Sequence, residues 1–328
     1  MARNTNIDEL LFEVKEMPVF LPGRETPVPG FRAITGYLEK EQYDKPTVFS
    51  IVSGNYHLVK NSQALDLAGK LYKKLFPGAS MANFVIFNII APNTKSFCDI
   101  DIIDKHYEVN IWKKEVYLPF IRVQNSYNRF SALRFDLGFC RKLCDNGVIY
   151  EQNTINLKYN HTKAIMGIED FTHVDTSHFN NLVESFKQKI LFTAEITVPL
   201  EFFTAMAAKV LGKSFAVDDH DPATKWEATK KLEEFAWIIS ILKDKYKTEF
   251  GETAYTLYNV ATDYASNIKH PATSVNSLQW RIGYWLHEFD HAVRQPNFNW
   301  HDHLGEYQKL LHKKDRKPGV DGNVEVPF

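Results

Sequence analysis

The strongest constraint on this chain is a change of hydrophobic period near residue 172. Between residues 83 and 159 the apolar positions repeat every two residues, the mark of strands whose faces differ in environment. Cys98, Ile100 and Ile102 alternate with Asp99 and Asp101, and Tyr107, Val109 and Ile111 alternate with Glu108, Asn110 and Trp112. After 172 the repeat lengthens to the helical one: Phe179, Leu182, Val183, Phe186 and Ile190 mark one face, with Ser177 as N-cap. A run of strands followed by a run of helices predicts an α+β fold, an antiparallel sheet half followed by a helical half that covers it.

Local signals sharpen this division. Phe84 to Ile90 is almost wholly apolar and predicts a strand covered on both faces. Asp104-Lys105 predicts a hairpin between the two alternating runs, and Pro119 places the strand 116–123 at an edge or bulge. Ser131 to Asp136 extends the sheet, Leu137 to Leu143 reads as a short helix before an Asn146-Gly147 turn, and Thr154 to Tyr159 is a last strand. A helix over 62–76 stops at Pro77-Gly78. Later helices run from Pro199 to Gly212, from Asp221-Pro222 to near Gly251, and over about 253–266 and 276–294. The expected organisation is an irregular arm over 1–47, a β-rich domain over 48–172, a helical region over 173–312 and a mobile tail over 313–328. Pro18, Pro22, Pro27, Pro29 and Pro46 define the arm.

Composition excludes several classes. Hydrophobic residues at 44% and aromatics at 14% supply a large core, which argues against global disorder. A net charge of −1 gives no overall attraction to polyanions, so any nucleic-acid binding must come from a local patch. Cys98, Cys140 and Cys144 form neither a metal-ligand pattern nor a secreted framework, and read as reduced core thiols. With no apolar leader and no membrane-length run, a cytoplasmic protein is expected.

Three motifs resemble one family. Tyr56-His-Leu-Val59-Lys-Asn61, then Asn125-Ser-Tyr127 through Ser131-Ala-Leu, Gly138-Phe139 and Cys144-Asp-Asn146-Gly147, and lastly Tyr255-Thr-Leu-Tyr258-Asn259-Val-Ala-Thr262 lie in order along the chain. Together they resemble the phage/plasmid-like protein family, known as Domain of Unknown Function 932, over roughly residues 50 to 290. The resemblance implies a mobile-element setting in a bacterial host cell and supplies no catalytic residues. This chain departs from the family at Asn128-Arg129-Phe130, where a bulkier and more basic turn replaces a small or acidic one.

The local charge suggests where chemistry lies. Between Lys105 and Lys163 stand ten Lys and Arg against five Asp and Glu, with Tyr107, Trp112, Tyr117, Tyr127, Tyr150 and Tyr159 interleaved. Basic groups bind phosphates and aromatic faces stack on any base, which is what single strands require. The expected nucleic-acid surface is Lys113, Lys114, Arg122, Tyr127, Arg129, Arg134, Arg141, Lys142 and Lys158. It implies a single-stranded DNA partner, as in annealing proteins, with possible homo-oligomers and no catalytic group, metal or cofactor.

Two alternatives compete. His287-Glu288-Phe289-Asp290-His291 matches the zinc-peptidase pattern, with His301, His303 or Glu306 as a third ligand. Asp99, Asp101 and Asp104 line one hairpin and share a face in part, as divalent-metal nucleases require. Leu211-Gly212-Lys213-Ser214 fails as a phosphate loop, because Ala207 stands where its first glycine belongs. A structural or interaction protein without either activity is the remaining class.

Overall fold

The computed structural model describes residues 6–310 apart from 39–44, 113–114, 144–145, 151–156, 160–170, 172–173, 175, 216–221 and 269. It is α+β, with sheets in the first half and helices in the second. A three-stranded antiparallel sheet is built from β1 (Glu13–Pro18), β2 (Phe31–Tyr37) and β3 (Thr47–Ser53), in that order. The segment expected as an irregular arm therefore contains two regular strands, β1 and β2. Pro22, Pro27 and Pro29 lie in the loop between these strands, where no ladder N–H is needed, and Pro18 is the last residue of β1.

The larger sheet comprises β4 (Phe84–Ile90), β5 (Phe97–Asp104), β6 (Val109–Trp112), β7 (Glu115–Ser126), β8 (Leu133–Arg141), β9 (Gly147–Ile149) and β10 (Leu157–Tyr159). Its spatial order is β10-β8-β7-β5-β4, with β6 on β7 and β9 on β8. Several local expectations are corrected here. The stretch 137–143 is not a helix: β8 runs through Arg141 and pairs with β7 from Arg134 to Arg141, because cross-strand partners outweigh weak helical spacing. The runs around Asp104-Lys105 do not form a hairpin, since both β5 and β6 pair with β7. Pro119 sits in this central strand without penalty, because β5 pairing ends at Phe120 and β6 pairing ends at Tyr117. Its missing N–H falls in the gap between them. β4 is an edge strand with half-exposed residues, not one covered on both faces.

The helices are α1 (Asn61–Leu75), α2 (Thr176–Glu195), α3 (Leu200–Leu211), α4 (Pro222–Phe250), α5 (Ala254–Asn267), α6 (Ala272–Val293) and α7 (Trp300–Leu304). Gly212 ends α3 in the left-handed region at φ 61°, as its position predicts. α6 begins four residues before the expected start, after Pro271. α1 lies against the sheet, where the Tyr72 hydroxyl donates to the Pro119 carbonyl at 3.0 Å. The Phe76 and Phe179 rings, 4.4 Å apart, join α1 to α2. α5 is buried all round from Ala254 to Ser266, so it is the central helix of its half.

Two glycines permit close approaches, one within the sheet and one between sheet and helix. A Cβ on Gly138 would stand 2.1 Å from the Phe120 ring and 2.5 Å from the Val148 carbonyl. A Cβ on Gly283 of α6 would stand 1.8 Å from the Ile149 carbonyl, so only glycine lets α6 approach β9. No described helix is long and apolar enough to cross a membrane.

Candidate nucleic-acid interface

The structure disperses most of the expected basic surface. Arg122 is 0% exposed and belongs to the interior. Its Nε and Nη2 donate to Asp101 at 2.6 Å each, and its Nη1 donates to Asn276 of α6 at 2.9 Å. Arg141 is also buried, with a two-pronged bond to Glu115 at 2.8 and 2.6 Å and a further contact to Glu249 at 3.1 Å. Tyr127 is buried; its hydroxyl accepts from the Asn61 amide at 2.9 Å and its ring stacks on Phe49. These three are corrected from contact residues to scaffold, because buried charges persist only when paired and hydrogen-bonded.

The remaining positions differ. Lys142 is exposed and pairs with Glu108. Arg134 is half-buried and pairs with Asp136 at 2.7 Å. Lys113 and Lys114 lie outside the described residues, as does the side chain of Lys158, whose backbone stands opposite Arg134. Tyr117 and Tyr150, expected as stacking platforms, are core residues: Tyr117 meets the Tyr255 hydroxyl at 2.8 Å and Tyr150 packs edge-on against Phe186.

The turn between β7 and β8 is the exception. Arg129 is exposed, and Phe130 is 62% exposed with its ring stacked on Phe97 at 4.8 Å and 24°. The turn is held from beneath. The Tyr127 and Asn128 amides donate to the Ser96 carbonyl at 2.8 and 3.3 Å, and Asn128 Nδ2 donates to Ser96 Oγ at 3.0 Å. The Phe130 amide donates to Asn128 Oδ1 at 3.0 Å, and Ser126 Oγ donates to the Ser131 carbonyl at 2.6 Å. Arg129 adopts φ 63°, a left-handed conformation that costs about 1 kcal/mol for a side chain of this kind. Phe130 was absent from the residues expected at the surface. Its signal was the Asn128-Arg129-Phe130 departure, but an isolated Phe reads more readily as core.

Beneath this turn one sheet face is polar across three strands. Register places Asp99, Gln124 and Arg134 in one row, and Asn88, Asp101, Arg122 and Asp136 in the next. Asp99 and Asp101 do share a face, but both are buried. Burial raises the Asp99 carboxyl to about 7, and also raises that of Asp136.

The metal alternatives do not assemble. Among the described residues no three His, Cys, Asp or Glu are placed to hold a metal. His287 lies beside the Tyr150 ring at 4.7 Å and is pushed down to about 4 by burial, with Lys189 nearby. His291 is exposed, His301 packs on Phe202, and His303 packs on Phe289 and Phe298. Glu288 pairs with Lys209 of α3 at 3.2 Å, so the five-residue pattern converges on no common point.

The first two family-like motifs are instead bonded to each other, and the second and third are tied to the neighbouring helices and sheet. Asn125 Nδ2 donates to the Val59 carbonyl at 2.9 Å and to Asn61 Oδ1 at 2.8 Å. Asn146 accepts from Asn267 at 2.9 Å and donates to Tyr246, whose hydroxyl donates to Asp263 at 2.8 Å. Tyr255 donates to Glu115 at 2.6 Å, tying α5 to β7. A family model described as Domain of unknown function (DUF932) matches residues 48–295. Comparison with curated proteins gave no match, and neither did comparison with solved structures.

Proposed function

We propose, from the premise that this chain belongs to the family described as Domain of unknown function (DUF932), that it is a non-enzymatic protein binding single-stranded nucleic acid at the β7–β8 turn. The observation supporting this is the exposed Phe130 ring, stacked on Phe97 and adjacent to exposed Arg129. A ring held flat from below offers its free face to a base, and a neighbouring guanidinium attracts the phosphate. The hydrogen bonds under the turn fix this geometry before any ligand arrives, which lowers the ordering cost of binding. The proposed setting is DNA recombination or maintenance in a phage or plasmid, in the host cytoplasm.

The test is an anisotropy titration of a labelled oligothymidylate at two salt concentrations. Phe130→Ala is expected to weaken binding roughly 5- to 150-fold, the loss of one stacked base. Arg129→Ala is expected to reduce the salt slope by about 0.7, one phosphate contact on a single strand. Wild-type affinity in both variants would remove the proposed interface. A second reading, an interaction protein, is favoured by the outer face of the three-stranded sheet, where Met17, Phe31 and Ile51 are exposed beside Phe20 and Leu21.

A further inference from the structure

The polar face under the turn holds a carboxylate that its neighbours do not neutralise. Asp99 is 5% exposed and, among the described residues, has no ion pair. Across the ladders it faces Ile90 of β4 and Gln124 of β7, both uncharged. Along β5, alternation puts apolar Phe97 on one side of it and acidic Asp101 on the other. The diagonal Arg122 has its Nε and Nη2 on Asp101, and its Nη1 on neutral Asn276 of α6. Arg134 of β8 is two strands away and paired to Asp136, and Lys158 of β10 is three strands away, about 14 Å at ordinary strand spacing. Asn88 donates to Asp101 at 3.2 Å. The described side chains of this face thus hold three carboxylates, Asp99, Asp101 and Asp136, against two guanidiniums, Arg122 and Arg134. One proton on Asp99 balances them.

The same residue lies directly under the turn. Phe97 is two positions from Asp99 on the same strand face and is the ring on which Phe130 rests. A buried carboxylate whose hydrogen-bond partner is a neutral amide, here Gln124, is costly unless it takes a proton or reaches water. Water reaches Asp99 most cheaply past the Phe97 ring and the exposed Phe130 above it, because the side chains on its other side, Asp101 and Arg122, are locked by hydrogen bonds to each other and to Asn276 of α6.

We infer that Asp99 is an acid-operated latch for the β7–β8 turn: protonated, it holds the Phe97–Phe130 stack closed; ionised, it is hydrated by opening of the turn. Burial, the main cause of the raised Asp99 value, puts the change near neutrality. The consequence for binding rests on the function proposed above, since opening dismantles the stacking platform and adds negative charge near the phosphate path. Single-strand affinity then falls as pH rises.

Two readouts separate the latch from that function. Amide hydrogen exchange at residues 126–131, corrected for intrinsic rates, is expected to speed up several-fold in the wild type between pH 6 and 8, and to stay level in Asp99→Asn. Oligothymidylate affinity is expected to weaken several-fold over the same range in the wild type and to hold constant in Asp99→Asn. Exchange that changes with pH while no oligonucleotide binds supports the latch and refutes the binding function. Exchange with the same pH profile in both proteins overturns the latch, whatever the binding shows. Should Asp99→Asn not fold, a carbon-detected titration of the wild-type Asp99 carboxyl decides, and a midpoint below pH 5 overturns the latch.

Discussion

Replacing Arg122 by Met should destabilise the protein severely without acting through nucleic acid. The side chain is fully buried and three of its nitrogens donate hydrogen bonds, two to Asp101 and one to Asn276. Methionine fills much of the same volume, so a cavity contributes little and the loss is electrostatic. It leaves Asp101, 1% exposed, with the Asn88 amide at 3.2 Å as its remaining side-chain donor. Breaking one partner of a buried pair costs ~3–5 kcal/mol, a fifth or more of the ~5–15 kcal/mol that holds a domain together. The assay is urea unfolding followed by circular dichroism, with the loss read from the shift in midpoint at constant slope. The double variant Asp101→Asn/Arg122→Met removes both charges and should recover at least half of the Arg122→Met loss, so the coupling exceeds roughly 2 kcal/mol. A single variant that loses less than about 1 kcal/mol, or a double variant whose loss equals the sum of the two singles, would refute the assignment of this pair to the scaffold. The same reasoning makes any variant lacking Arg122 a poor probe of DNA binding, since lost affinity would report lost folding.

Other outcomes follow from the same geometry. Gly138→Ala should cost ~1–3 kcal/mol, because its Cβ meets the Phe120 ring and the Val148 carbonyl, and differential scanning calorimetry should show a lower melting temperature. Tyr255→Phe should cost about 1–3 kcal/mol, measured by urea unfolding, since it leaves buried Glu115 and Tyr117 each without one hydrogen bond. Asp99 binds its proton more tightly folded than unfolded, so its contribution to stability is complete below about pH 4 and is lost as pH rises to about 7. The full change is at most ~4 kcal/mol, and Asp99→Asn should abolish it, making that variant more stable than the wild type at pH 8 in urea unfolding.

The gross division of the chain was legible because it rests on local rules. Helical spacing located α1, α2 and α4 closely, and Gly212 and Pro222 marked ends that glycine and proline dictate in any context. Strand positions were mostly legible for the same reason, β1, β2 and the end of β8 excepted, but strand partners were not. The apolar run 84–90 looked like a central strand, and Pro119 looked like an edge, and the sheet reverses both. Pairing is decided by residues far away in sequence, and Pro119 is tolerated because two strands share one side of β7. The candidate surface failed in the same way. Basic and aromatic residues were counted along the chain, whereas their exposure depends on what α6, α5 and α1 cover.

The chain alone thus determined where most strands and helices lie, though not β1, β2 or the second half of β8, that Asp99 and Asp101 share a face, and that the turn at Arg129-Phe130 is unusual. Backbone sterics and side-chain periodicity act over a few residues, so a few residues suffice to read them. Folding decided which faces are dry. Asp101 and Arg122 are 21 residues apart and Glu115 and Arg141 are 26 apart, yet each pair meets in the interior, so charges that look like a wet surface in sequence serve as scaffold. The converse holds at Phe130: an aromatic that composition assigns to the core stands exposed, because the sheet ends beneath it and Phe97 occupies only its inner face.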